Sequence, residues 1–248
     1  MSQHPIFLIL TGDGINCERE TALAFEQAGA KTRIQHVNDL LAEPSSLQQY
    51  DGLAIPGGFS FGDDLGSGLI LGLKLKYALK EELLRFVGSQ KPIIGICNGF
   101  QVLTKLGLLP DYKQERQVAL AQNIHGRFMN QWASMTAPDN SVCVWTKGIK
   151  HIQLPVRHKE GRVVFSNPEV LEKLKSNGQI VFRYDEDING STDQIAGICD
   201  STGLIFGLMP HPEAFVFQET APQHQQDSSR HGEGYPIFHN IIQFCLQS

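Results

Sequence analysis

The sequence predicts an α/β domain with a mainly parallel central sheet covered by helices on both faces. Two observations carry that prediction. Through the first half, short apolar runs alternate with amphipathic stretches, the strand–helix rhythm that builds parallel sheets. Across all 248 residues, 41% of them hydrophobic, no composition shift, low-complexity tract or repeat marks a boundary. One domain over residues 1–248 is therefore expected, long enough to bury a sizeable core.

The elements follow in order. Pro5–Thr11 is a buried strand, Gly12–Asn16 a turn, and Glu18–Ala28 a helix with Asn16 or Cys17 near its start and Gly29 at its end. Thr32–Val37 and Gly52–Pro56 read as further strands. Leu69–Val87 has helical periodicity, and its apolar face is assigned to Leu69, Leu73, Tyr77 and Leu84. Lys91–Cys97 reads as a short strand, followed at once by a helix over Gly99–Leu106 that Gly107 ends. The second half is richer in strands: Val118–Gln122, Gly126–Thr136, Val142–Thr146, Ile149–Val156, Arg162–Phe165, Ile180–Tyr184, Gln194–Cys199 and Leu204–Pro210, with a helix at Pro168–Ser176. Gln218–Glu233 is polar and aperiodic, hence an exposed loop, and Pro236–Leu246 a closing helix.

Charge and cysteine usage exclude several classes. A net charge of −5 without a basic stripe argues against nucleic acid or an anionic membrane as main partner. No apolar run is long enough to span a bilayer, and the first residues lack the pattern of a signal peptide. Five cysteines at irregular spacing, with no CxxC pair, fit reduced thiols and the cytoplasm.

Four features point to chemistry. Gly95-Ile96-Cys97-Asn98-Gly99 lies between an apolar strand and a helix, the G-x-nucleophile-x-G elbow with cysteine as nucleophile. Its thiol would sit at a helix N-terminus, where the dipole favours thiolate; a buried cysteine in a tight turn is the plainer alternative. His211-Pro212-Glu213 follows a late strand, so that a carboxylate can orient an imidazole acting as general base. Pro56-Gly57-Gly58-Phe59 ends another strand, and the Gly58 and Asn98 N–H groups are expected to form an oxyanion hole, with Gly57 and Gly58 lining the substrate. Gln101, one helical turn after Cys97, is a candidate to hold a polar substrate group. Cys17 is a weaker candidate nucleophile. His224, His231 and His239 match no compact metal site, and Asp63 and Asp64 are placed on an exposed loop near the active site or a partner surface.

With these residues in place, the segments PGGFSFGDDLGSG, GICNGFQVLTKLGLLP and NGSTDQIAGICDSTGLIFGLMPHPE resemble class I glutamine amidotransferases, in the branch of glutaminase subunits serving purine biosynthesis. The resemblance implies a three-layer, flavodoxin-like fold and a Cys97–His211–Glu213 triad that hydrolyses L-glutamine to glutamate and ammonia. It implies a separate synthetase subunit that uses ATP, magnesium and formylglycinamide ribonucleotide, a small accessory subunit, and no cofactor or metal in this chain. Hydrolysis is expected to depend on docking to the synthetase, with the Pro56–Gly58 turn as gate. The chain departs from the family pattern at Asn123-Ile124-His125-Gly126-Arg127-Phe128, at Ala214 after His-Pro-Glu, and in the long polar loop. The competing readings are a protease- or deglycase-type cysteine hydrolase, against which the late His-Pro-Glu argues, and an inactive regulatory homologue, against which the intact triad argues.

Overall fold

The computed structural model describes residues 4–112, 116–221 and 230–247. A sheet of nine strands forms its centre: β1 (Ile6–Thr11), β2 (Lys31–His36), β3 (Gly52–Ile55), β4 (Ile93–Ile96), β6 (Met129–Thr136), β7 (His151–His158), β9 (Ile180–Tyr184), β10 (Ile195–Cys199) and β11 (Ile205–Leu208). A separate two-stranded ribbon pairs β5 (Val118–Gln122) with β8 (Glu160–Phe165). The strand order is β2-β1-β3-β4-β11-β10-β9-β6-β7. Ladders from β2 to β11 are parallel and those from β11 to β7 antiparallel, so the expected parallel character holds only for the half that carries Cys97.

The helices are α1 (Glu18–Gln27), α2 (Val37–Ala42), α3 (Leu69–Gly88), α4 (Asn98–Leu106), α5 (Pro168–Ser176) and α6 (Tyr235–Gln247). α1 packs with α6, while α3 packs with α4, which lies over β3, β4 and β11. Both groups of helices cover the parallel half, giving three layers. The core beneath α1 and α6 is aromatic: Phe25 stacks on Phe7 and meets Phe238 and Trp145 edge-on, and Trp145 donates its indole N–H to the Leu204 carbonyl.

Three expectations need correction. In α3 the buried stripe is Leu71, Leu75, Leu79 and Leu83, whereas Leu73, Tyr77 and Leu84 are exposed, Tyr77 at 83%. Leucines stand on both faces of LILGLKLKYALK, so composition alone did not choose between two helical stripes. Val142–Thr146 is no strand: Val144–Thr146 is a single 3₁₀ turn whose Trp145 is committed to the core, as the buried Cys143 beside it is. In the polar stretch Gln218–Glu233 the described residues are tied to the domain, by a 3₁₀ turn at Gln218–Thr220, a bridge between Phe217 and His231, and Glu233 accepting the Gln153 N–H; residues 222–229 lie outside the described ones.

A polar knot ties the ribbon to the sheet. Asn123, at the end of β5, donates its amide to the Arg127 and His158 carbonyls. Its Oδ1 accepts from Gly161 N–H and from His158 Nδ1, which fixes that tautomer. The departing segment around Asn123 thus fastens the turn from β7 to β8. A Cβ on Gly161 would lie 2.2 Å from His158 Cε1, so only glycine lets the chain close over the ring.

Burial, reinforced by the charges of His211 and His125, lowers the His158 pKa from 6.5 to about 3. A histidine whose folded pKa lies below its unfolded value contributes its full stability above pH 6.5 and loses it as pH falls toward 3. Urea unfolding of wild type and His158→Gln should therefore show a wild-type advantage that shrinks below pH 6.5 by up to about 1.4 kcal/mol per pH unit. An advantage independent of pH between 7 and about 4.5 would contradict a neutral, caged imidazole.

Candidate active site

Cys97 sits where β4 ends and α4 begins, with φ 52° and ψ −105°, a conformation that disfavours any side chain. The turn is forced by packing on both flanks. A Cβ on Gly99 would lie 1.8 Å from the Ile55 carbonyl oxygen, and one on Gly95 would lie 2.5 Å from the Gly99 carbonyl oxygen. The parallel register of β4 with β11 holds the elbow from beside it, since Cys97 N–H donates to the Leu208 carbonyl at 2.8 Å.

That same pairing delivers His211. Three residues beyond Leu208, His211 is extended, and Pro212–Phe215 then forms a 3₁₀ turn instead of continuing the strand. The turn still brings Glu213 Oε1 within 2.6 Å of His211 Nδ1, and both residues are buried. Burial opposes charge on the imidazole. The Glu213 carboxylate, with the Cys97 and Cys17 sulfurs beside the ring, outweighs it, leaving the His211 pKa well above the usual value. Cys97, His211 and Glu213 are thus brought together as the sequence suggested.

The Pro56–Phe59 turn runs beside them. A Cβ on Gly57 would lie 2.8 Å from His211 Cε1, and one on Gly58, at φ 144°, 2.6 Å from the Gly14 carbonyl oxygen. The Gly57 carbonyl accepts the N–H groups of Asn16 and Cys17, both at 3.3 Å. A trans peptide turns the Gly58 N–H to the side away from those donors. Asn98 opens α4, so its own N–H has no partner within the helix.

The Asn98 side chain is a strut. Its Oδ1 accepts the Ser60 N–H at 3.2 Å, and its amide donates to Gln101 Oε1 at 2.8 Å. Gln101 in turn donates to the Glu160 carbonyl, so both ends of its amide are engaged within the protein. Glu160 reaches on to the Ser67 N–H. The loop after β3, the nucleophile helix and the β7–β8 turn are joined by one chain of hydrogen bonds.

Sequence reasoning missed several neighbours. The end of β7 passes over Cys97, whose thiol donates to the Arg157 carbonyl at 3.5 Å. Tyr184 lies within electrostatic reach of Cys97, and His158 within reach of His211. The Tyr184 hydroxyl, His158 Nε2, His211 Nε2 and Ser60 Oγ are buried without a hydrogen-bond partner, as expected of polar groups kept for a substrate. Only the His158-x-Glu160-Gly161 pattern signalled this turn in the sequence. The Cys17 thiol, in sequence only a rival nucleophile, hydrogen-bonds Asn16 Oδ1 and sits beside His211 and Glu213. Cys143 and Cys199 are buried away from this site, and Cys245 is half-buried on α6. Asp63 is half-buried next to Ser67, and burial raises its pKa.

Comparison with known proteins agrees with this geometry. Residues 4–245 match the model of the CobB/CobQ-like glutamine amidotransferase domain. The phosphoribosylformylglycinamidine synthase subunit PurQ of Methanococcus maripaludis is 45% identical, over 94% of this chain and 92% of its own length. The subunit of the same name from Dehalococcoides mccartyi is 42% identical, over 97% of both chains. A chain in the structure of PurLQS from Thermotoga maritima superposes with a TM-score of 0.77 at 29% identity, covering 98% of this chain and 99% of that one. A glutamine amidotransferase from Thermotoga maritima, at 15% identity and a TM-score of 0.54 over 88% of this chain and 79% of that one, shares the fold. The chain belongs to the class I glutamine amidotransferases, in the branch of the PurQ subunits of phosphoribosylformylglycinamidine synthase.

Proposed function

We propose that the chain hydrolyses L-glutamine at Cys97 and passes ammonia to a synthetase subunit that converts formylglycinamide ribonucleotide to formylglycinamidine ribonucleotide with ATP. One observation carries the catalytic half: a cysteine on a strained elbow beside a buried imidazole whose Nδ1 lies 2.6 Å from a carboxylate.

The steps follow from the geometry. A protonated His211 supplies the counter-charge that a thiolate at Cys97 needs. The sulfur attacks the glutamine amide carbon, and the Gly58 and Asn98 N–H groups receive the oxyanion. His211 gives its proton to the departing nitrogen, the C–N bond breaks, and ammonia leaves a γ-glutamyl thioester. Water then loses a proton to His211 and attacks the thioester; the C–S bond breaks, releasing glutamate and returning the thiolate. Glu213 holds the ring and balances its charge throughout. The role proposed for Gln101 is indirect: its amide, tied to Asn98 and Glu160, fixes the pocket wall that the substrate meets.

The partners proposed are a synthetase subunit and a small accessory subunit, corresponding to the PurL and PurS that accompany PurQ in the Thermotoga maritima assembly. ATP and magnesium belong to the synthetase, and this chain uses no cofactor of its own. Among the described residues no helix is long and apolar enough to cross a membrane; a cytoplasmic setting is proposed on that and on the free thiols.

Access favours a conditional enzyme. Cys97, His211 and Glu213 are 5%, 3% and 4% exposed, so glutamine reaches the thiol only if the surrounding loops move. The 57–58 peptide is held by two backbone N–H groups, and reorienting it costs about 1–3 kcal/mol, within reach of a docking interface.

Two variants test this reading. Glu213→Gln should keep glutamine binding but lower kcat by about 10²–10³-fold, and an unchanged kcat would remove Glu213 from the mechanism. In the complex assembled with its synthetase, Cys97→Ser should abolish glutamine-dependent synthesis while synthesis from added ammonium salt stays near wild type. Equal loss of both activities would mean that Cys97 serves assembly and not ammonia release.

A further inference from the structure

The mechanism leaves Cys17 unused, yet its thiol shares the catalytic imidazole. We propose that Cys17, His211 and Glu213 form a binding site for a thiophilic divalent cation such as Zn²⁺, and that its occupation shuts off glutamine hydrolysis. The inhibitory half rests on the glutaminase reading; the binding half stands without it.

The three donors are already assembled. One sulfur, one ring nitrogen and one carboxylate oxygen lie within 4.8 Å of one another. This thiolate–imidazole–carboxylate mixture is what zinc selects, and three protein ligands with a fourth position open to water or to Cys97 is a normal coordination. Bond lengths of about 2.0–2.3 Å to zinc place tetrahedral donors about 3.5 Å apart, so the cluster must tighten by about 1 Å. Cys17 can supply that movement: it precedes α1, and its side chain makes one 3.2 Å bond to exposed Asn16.

Two further observations point to a ligand. Glu213 Oε2 is buried without a hydrogen-bond partner, in a residue at least nine-tenths buried. The absence of a side chain on Gly57 leaves the site open at its centre, because a Cβ there would stand 3.4 Å from Cys17 Sγ and 3.4 Å from His211 Nδ1. Cys17 is half-exposed and provides the route of entry. Binding displaces the thiol proton of Cys17 and any proton on His211, so affinity rises with pH. A cation held there takes His211 and its orienting carboxylate together, leaving no imidazolium to protonate the departing nitrogen and no base for the water that follows.

Cobalt(II) is the probe, added to the full chain and followed by thiolate-to-cobalt charge-transfer absorption. Wild type and Cys97→Ser should both develop the band at one equivalent. Cys17→Ser and Cys17→Ala should lack it and bind Co²⁺ at least about tenfold more weakly. Each Cys17 variant, measured against its own uninhibited rate, should need at least about tenfold more Zn²⁺ for half-inhibition. A band that survives in both Cys17 variants and vanishes in Cys97→Ser would place the cation on the nucleophile and overturn the proposal. So would a wild-type band accompanied by undiminished glutaminase activity. A Cys17-dependent band in a chain that hydrolyses no glutamine would instead refute the glutaminase reading and leave the cation site standing.

Discussion

The parallel register between β4 and β11 is the constraint on which the site depends. It places Leu208 opposite Ile96, so the Leu208 carbonyl receives the Cys97 N–H and fixes the elbow while the chain leaving β11 delivers His211 next to it. Neither residue could find the other through local structure, being more than a hundred positions apart in the sequence. The strain at Cys97 persists because its surroundings over-determine it: Gly99 is pressed on the Ile55 carbonyl, Gly95 on Gly99, and the β4 strand is buried throughout. A slip of one residue in this ladder would turn the thiol to the opposite face of the sheet.

Around that register the protein adds polar struts, not more apolar packing. Asn98 links the turn after β3 to Gln101, Gln101 links the helix to the β7–β8 turn, and Asn123 locks that turn to the ribbon. Buried networks of this kind fix geometry when every member is satisfied, and their failure is costly because unpaired polar groups remain in a low-dielectric interior. By contrast, His211 Nε2 and the Tyr184 hydroxyl, both near Cys97, are buried without a partner. Framework and reactive groups therefore follow opposite rules within a few ångströms.

Much of this was legible in the sequence, for local reasons. Gly-x-Cys-x-Gly between an apolar strand and a helix carries its own geometry, and His-x-Glu after a late strand carries its own pairing, so the triad could be read from the residues alone. The helices at Pro168–Ser176 and after Cys97 announced themselves through caps and periodicity. What escaped was decided by tertiary contact. Two leucine stripes on α3 were equivalent until one was buried in the core beside α4. Trp145 turned a strand-like run into a core anchor. The antiparallel half of the sheet, and the meeting of Cys17 with His211, depend on which strands become neighbours, and no motif records that.

We propose that one thiol among five, Cys97, acts as nucleophile because the fold gives it an elbow and a neighbouring imidazole; chemical labelling tests this directly. The chain, assembled with its synthetase, would be treated with a diazo-ketone analogue of glutamine, digested, and each of its cysteine-containing peptides weighed. Stoichiometric alkylation of Cys97 is expected, with Cys17, Cys143, Cys199 and Cys245 unmodified, and loss of glutaminase activity in proportion to the label. Alkylation of Cys17 with Cys97 left free would contradict it.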